Sequence, residues 1–254
     1  MAEKLLFLGT GAADIGYDII PEKSFENKSF RRCSCAIVNG HIMLDCGPFA
    51  VNSLETAQIP LENVTDIVFT HLHSDHFYEK SVETIALAKS APLHLWARSD
   101  AEFPPLKNCV VHKMDLVCEY EIGGAAISSV PANHRAFPQH IILKTGGKKL
   151  LYATDGAWVM ADALNHMKNA NFDAVVIDAT VGDYTGDYRV AEHNSIPMIR
   201  LMMPSFLTNG MISDKTKVIL THLAMPLHKS YEETANAVKD DGYIVAYDGL
   251  EIEL

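Results

Sequence analysis

The sequence predicts an α/β chain folded as a four-layer αββα sandwich, with helices outside and two β-sheets stacked within. Three observations predict it. The strand-like runs fall into two successive β-rich halves, each closed by helical segments. Hydrophobic residues make up 48% of 254 positions, enough for a sizeable core. No repeat, low-complexity stretch or linker separates the halves, so residues 1–254 read as a single hydrolase-sized domain.

The elements follow in order. Residues 4–8 read as a strand ending at Gly9-Thr10-Gly11. No Gly-x-Gly-x-x-Gly follows, so no dinucleotide site is read there. Residues 12–32 are polar, aperiodic and longer than most connections, which predicts a loop over a site or an oligomer contact. Residues 33–38 and 41–45 flank Asn39-Gly40, a hairpin signal. Cys33 and Cys35 share a strand face and read as packing, since two sulfurs alone do not make a zinc site. Residues 48–57 are helical with Pro48 in the first turn. Residues 65–69 form a strand and 77–89 a helix.

Strands then follow at 92–96, 108–117 and 121–133, the last carrying the Gly123-Gly124 turn. Residues 141–144 and 149–153 flank the Thr145-Gly146-Gly147 turn. Residues 158–168 have helical periodicity, and 174–177 are a buried-strand run. A second long loop, 179–192, leads to a helix at 195–206, whose Met198, Leu201, Met202 and Met203 read as core. Residues 217–220 are a strand, 231–239 a helix, and 243–247 and 250–254 the final strands.

A net charge of −11 disfavours duplex DNA or tRNA as the main partner, since phosphate backbones are gripped by Lys/Arg patches. It leaves room for a small anionic substrate if bound metal supplies local positive charge. Five cysteines without a Cys-x-x-Cys pair, an N-terminal apolar run too short for a signal peptide, and no run near ~20 apolar residues predict a reducing, cytoplasmic, non-membrane setting.

The chemistry concentrates in Thr70-His71-Leu72-His73-Ser74-Asp75-His76, between a strand and a helix start. His71 and His73 are two apart, so in extended backbone their side chains point the same way and can share one metal ion. Asp75 and His76 lie past the turn and can face a second ion. Imidazole and carboxylate donors suit Zn²⁺, Mn²⁺ or Fe²⁺. Asp45 ends an apolar strand, where it either caps the turn or orients a ligating His from behind. Three more ligand-type residues each follow an apolar strand: His134, Asp155 and His222.

His-x-His-x-Asp-His closing a strand, with those three residues in that order, resembles the signature of the metallo-β-lactamase-fold hydrolases. The resemblance implies that His71, His73 and His134 hold a first metal, that Asp75, His76 and His222 hold a second, and that Asp155 bridges them opposite a shared water. Two such ions lower the pKa of that water and neutralise charge developing on the attacked group.

His193, at the start of a helix, resembles the histidine that the phosphodiesterase branch uses on the scissile phosphate. That branch includes the tRNA 3′-processing endonucleases. Asp178 would orient His193, and Asp75, His193 and Asp178 are the candidate catalytic residues. Most of the chain resembles the phosphoribosyl cyclic-phosphate phosphodiesterases of the carbon–phosphorus lyase pathway. The matching pieces are Leu8-Gly9-Thr10-Gly11, Arg31-Arg32-x-x-Cys35, Leu44-Asp45-Cys46-Gly47, Thr154-Asp155-Gly156-Ala157 and Gly242-Tyr243-Ile244-Val245-Ala246-Tyr247-Asp248-Gly249.

The chain departs from that pattern in three places. It lacks the loop cysteines of an added structural zinc, and Met225 stands where that zinc's His would be, so no third metal is expected. Phe77-Tyr78-Glu79 and His140 replace smaller groups, which predicts a reshaped pocket. The remaining histidines, 41, 94, 112, 166 and 228, read as structural or surface.

The reading is a phosphodiesterase with two divalent metal ions, acting on a small or cyclic phosphodiester by attack of metal-bound hydroxide, and a possible homodimer. The alternatives are a thioester or lactone hydrolase of the same fold, and a metal-binding sensor of small phosphate ligands that does not turn over.

Overall fold

A computed structural model describes residues 2–14, 25–136 and 138–254. Residues 15–24 of the first long loop therefore lie outside the described residues, and the expectation of a loop over the site falls partly on them. Among the described residues, fourteen strands form two seven-stranded sheets. The first sheet comprises β1 (Lys4–Gly9), β2 (Cys35–Val38), β3 (Ile42–Leu44), β4 (Asp66–Val68), β5 (Leu93–Arg98), β6 (Cys109–Met114) and β14 (Glu251–Glu253), in the order β14-β1-β2-β3-β4-β5-β6. The second comprises β7 (Tyr120–Ile122), β8 (Ala125–Pro131), β9 (Gln139–Thr145), β10 (Lys148–Ala153), β11 (Ala174–Asp178), β12 (Lys217–Thr221) and β13 (Ile244–Val245), in the order β13-β12-β11-β10-β9-β8-β7.

Alternation along the strands builds the layers. Ala36, Val38, Ile42, Leu44 and Val68 meet Ile141, Leu143, Leu150, Tyr152, Ala174, Val176 and Ile219 between the sheets. The residues one step along, Cys35, Ile37, Met43 and Ile67, face outward onto α1 (Ala50–Thr56) and α2 (Glu79–Leu87). Leu151, Ala153, Val175, Ile177, Val218 and Leu220 likewise face α3 (Ala161–Met167) and α4 (Ile196–Thr208). A fifth helix, α5 (Tyr231–Ala237), closes the second half, with Ser230 capping its start. The four layers are those the sequence predicts.

Several boundaries differ from expectation by a few residues, three of them for identifiable reasons. Cys33 makes only an isolated bridge to Gly11, so the hairpin strand begins at Cys35. α2 begins at Glu79 because Phe77 is bridged to Cys46 and Tyr78 is extended, with its amide donating to the Cys46 carbonyl at 2.9 Å. α3 begins at Ala161 because Trp158 sits at φ +50, which no helix accommodates.

Strands β3, β4 and β5 run parallel, as do β10, β11 and β12, while β8 and β10 both run antiparallel to β9. Within each sheet these strands other than β9 therefore deliver their carboxyl ends to one edge, which is where the loops after β3, β4, β8, β10, β11 and β12 emerge. Loops leaving strand ends are where an α/β scaffold places reactive side chains.

Candidate metal centre

That edge brings the sequence-predicted residues together. Asp45 follows β3, the His71–His76 loop follows β4, His134 follows β8, Asp155 follows β10, Asp178 ends β11 and His222 follows β12. Donor atoms of His71, His73, His134 and Asp155 lie within 4.8 Å of one another, and so do those of Asp75, His76, Asp155 and His222. A third such group joins Asp155, Asp178, His193 and His222. Asp155 is common to all three. Its Oδ2 lies 3.2 Å from His71 Nε2, 3.1 Å from His76 Nε2 and 3.7 Å from His134 Nε2. Its Oδ1 lies 2.8 Å from His222 Nε2. Asp75 Oδ2 lies 3.2 Å from His76 Nε2 and 3.6 Å from His222 Nε2.

The outward nitrogens explain which inward ones are free. His76 Nδ1 donates to Asp45 Oδ2 at 2.8 Å. His71 Nδ1 donates to the Thr70 hydroxyl at 3.0 Å, and that hydroxyl donates to Asp45. His222 Nδ1 donates to the Thr180 hydroxyl at 2.7 Å, which passes its own proton to Asp178 Oδ1 at 2.8 Å. His134 Nδ1 faces the Glu192 carbonyl at 3.3 Å. Each of these four rings is thereby oriented with Nε2 toward the centre, the atom that offers a lone pair when the ring is neutral. His73 is the exception: its Nδ1 is the atom facing His134 Nε2, 3.3 Å away.

Three backbone positions are held in the left-handed region: Asp45 (φ 63), Asp155 (φ 52) and His222 (φ 56). Non-glycine residues there are uncommon, and such strain gathers at functional sites. Asp45 both caps and orients, meeting the Thr70 amide, the Thr70 hydroxyl and His76 at once.

The electrostatics call for cations. Burial opposes charge on His76 and His222, yet the Asp155 carboxylate overrides it, with Asp75 contributing at both. His76 is raised well above the usual imidazole value and His222 to about 10. Asp155, against burial, is held well below the carboxylate range by His222 and His76, and Asp75 is lowered in the same way, chiefly by His76. Burial lowers His134 to about 4, keeping it neutral. His71 Nε2 is buried, lies 3.2 Å from Asp155 Oδ2 and has no hydrogen-bond partner among the described residues. An orphaned imidazole lone pair beside a shared carboxylate suits a divalent metal, and the donor set fits two ions bridged by Asp155.

His193 joins from the second long loop. Its Nδ1 lies 2.7 Å from Asp178 Oδ2, and its ring stacks on His222 at 5.3 Å between centroids. Burial lowers His193, but Asp178 outweighs it, so the imidazole holds its proton more strongly than usual.

Two expectations need correction. Phe77 does not shape the pocket. Its ring packs edge-on against Phe69 at 5.6 Å and Phe103 at 5.3 Å, between the first sheet and its helices. His140 does not line the pocket either. It is 2% exposed and sits behind the Asp155-Gly156 turn, where a Cβ on Gly156 would fall 2.5 Å from its Nε2. Thr70 and Thr180 went without a role in the sequence reading. The signal for Thr180 was its spacing, since an Asp two residues earlier forms an Asx turn that holds both the Thr180 amide and its hydroxyl.

Comparisons with known proteins agree with this architecture. The model of the family described as anti-Pycsar protein Apyc1 matches residues 3–92, a span that ends between the histidine-rich loop and His134. No curated protein sequence matches the chain. Among solved structures, a diphosphatase from the PhnP family superposes with a TM-score of 0.76 at 20% identity, covering 100% of this chain and 98% of that one. The metallo-β-lactamase fold protein YhfI from Bacillus subtilis gives 0.75 at 13% identity, covering 99% of each chain. The short form of human tRNase Z gives 0.69 at 19% identity, covering 98% of each. The chain has the metallo-β-lactamase fold. Its structural neighbours include a PhnP-family protein and tRNase Z, the two branches whose motifs the sequence resembles.

Proposed function

We propose that this chain is a hydrolase using two divalent metal ions, and specifically a phosphodiesterase acting on a small or cyclic phosphodiester. The observation that carries the reading is the His193–Asp178 pair, which faces the same centre as the seven candidate ligands. His71, His73, His134 and Asp155 would hold one ion, and Asp75, His76, His222 and Asp155 the other. When bound, such ions supply an activated water and neutralise charge on the attacked group.

The chain's own residues do the rest. Asp45 and Thr70 hold His76 and His71 in register, and Thr180 holds His222. His193, with Nδ1 committed to Asp178, presents Nε2 as a proton donor to a departing oxygen. Asp178, against burial, makes the ring hold that proton more strongly than a free imidazole does. A departing alkoxide needs such an acid, whereas a thiolate leaving a thioester does not. The pair therefore favours phosphodiesters over thioesters, while turnover assays separate phosphodiesters from lactones, which also release an alkoxide.

The test is hydrolysis of a chromogenic bis-aryl phosphodiester, and of a cyclic diester with an alkoxide leaving group, after adding Mn²⁺ or Zn²⁺ to metal-stripped protein. The expected result is metal-restored turnover of both. His193→Ala should then slow the alkoxide substrate by about 10²–10⁴-fold. In Asp178→Asn the alkaline limb of the pH profile should move to lower pH, because losing the carboxylate lowers the imidazole pKa. Turnover of thioesters or lactones alone, indifferent to His193→Ala, would overturn the reading.

A further inference from the structure

We infer that Arg135 is the anion-recognising group at the rim of this centre, and that Glu192 holds it in waiting. The inference rests on the phosphodiesterase reading and deepens it. Arg135 directly follows His134, and its side chain is 78% exposed, with Nε 2.6 Å from Glu192 Oε1. Glu192 directly precedes His193, and its backbone carbonyl faces His134 Nδ1 at 3.3 Å. One exposed ion pair therefore ties the loop bearing His134 to the loop bearing His193. Glu192 Oε2 also lies 4.0 Å from His134 Nδ1, so the carboxylate sits between the two loops.

Charge arithmetic gives Arg135 its role. Asp45, Asp75, Asp155 and Asp178 bring four negative charges to the centre, which two divalent ions only balance. The chain as a whole carries −11, so an anionic diester meets a neutral site in a repelling field. His193 can add one positive charge, but it is the proton donor.

The other arginines near these loops are engaged. Arg98, beside a cavity of about 370 Å³ that borders His71, is tied to Asp100 Oδ2 at 3.1 Å and to the Pro138 carbonyl at 3.4 Å. Arg189 is turned onto Asp187 at 3.4 Å and onto the Tyr188 ring. Among the described residues Arg135 is held by its pair with Glu192, exposed on the Arg135 side, of the kind that contributes little and breaks readily. A guanidinium forks onto phosphate oxygens as it does onto a carboxylate, so a substrate competes directly with Glu192 for it.

The competition predicts effects of opposite sign, read by steady-state kinetics of the metal-loaded protein. Arg135→Gln should raise KM for an anionic diester about tenfold, as expected for losing one charge-assisted hydrogen bond, with kcat changing less. Glu192→Gln should lower KM about two- to fivefold by freeing the guanidinium. Arg135→Lys should recover part of the loss, and added salt should shrink all three differences.

Binding of inorganic phosphate to the metal-loaded protein, followed by calorimetry, reads the same competition without turnover. If no diester is cleaved, the phosphodiesterase reading fails while the phosphate titration still decides the role of Arg135. Unchanged phosphate affinity in Arg135→Gln, or weaker binding in both variants, would overturn the inference. The second outcome would make the ion pair a structural tie between loops.

Discussion

The two halves of the molecule build the same centre in opposite ways. The first half supplies His71, His73, Asp75 and His76 from one loop of six residues, with a single carboxylate, Asp45, holding His76 directly and His71 through Thr70. The second half supplies His134, Asp155 and His222 from three separate strand ends, two of them in left-handed backbone. The first arrangement is a local motif and the second a property of the sheet. Clustering in sequence lets one strand end do the positioning, whereas dispersed ligands depend on strand register across β8 to β12.

The sharpest way to break the comparison is to remove the residue both sets share. Asp155→Asn should lower turnover on the order of a thousandfold or more and reduce bound metal below two ions per chain, measured by elemental analysis beside the kinetics. If two ions remain, the first-half cluster holds metal without the bridge.

Next is the residue on which the first half depends. Asp45→Asn should weaken metal affinity about 10–100-fold, because it loosens His76 directly and His71 through Thr70. Competition with a chelator of known affinity reads that loss.

The second half is tested at its strained turn. Gly156→Ala should destabilise the fold by about 1–3 kcal/mol, since the new Cβ would meet His140 Nε2. His140→Gly in the same chain should return most of that loss. Thermal unfolding checks both, and an unchanged melting temperature in the single variant would show that the turn gives way.

The smallest effect separates protons from metal. Without metal, His76 and His222 keep their protons at neutral pH, because Asp155 raises both against burial, His222 to about 10. Divalent ions must displace those protons. Loading near pH 7 should therefore release protons, and affinity should rise with pH as fewer protons remain to be displaced. Calorimetric titration in two buffers of different ionisation heat gives the count, and a count of zero would contradict the raised imidazoles.

Much of this was legible in the sequence, and the gaps have physical causes. Strand alternation and turn residues gave the four layers because both are local. His71 to His76 were readable because their spacing is short. Asp155 and His222 were readable only jointly, since a polar residue after a strand usually caps it. The roles of Thr70 and Thr180 were missed because a hydroxyl bridging a ring to a carboxylate leaves little mark beyond its neighbours. Phe77 and His140 were misplaced because sequence adjacency to a ligand does not say which side of a turn a side chain occupies. Phe77 went into an aromatic cluster, and His140 behind the turn.

The placement of Asp45 also bears on transplantation. The seven residues Thr70 to His76, moved alone onto another scaffold, would lose their orientation. Asp45 lies 31 positions before His76, on a neighbouring strand, and holds the loop at its first residue through the Thr70 amide as well as at its last histidine. The smallest portable unit is therefore two adjacent parallel strands with a left-handed aspartate ending the first, not the histidine-rich string itself.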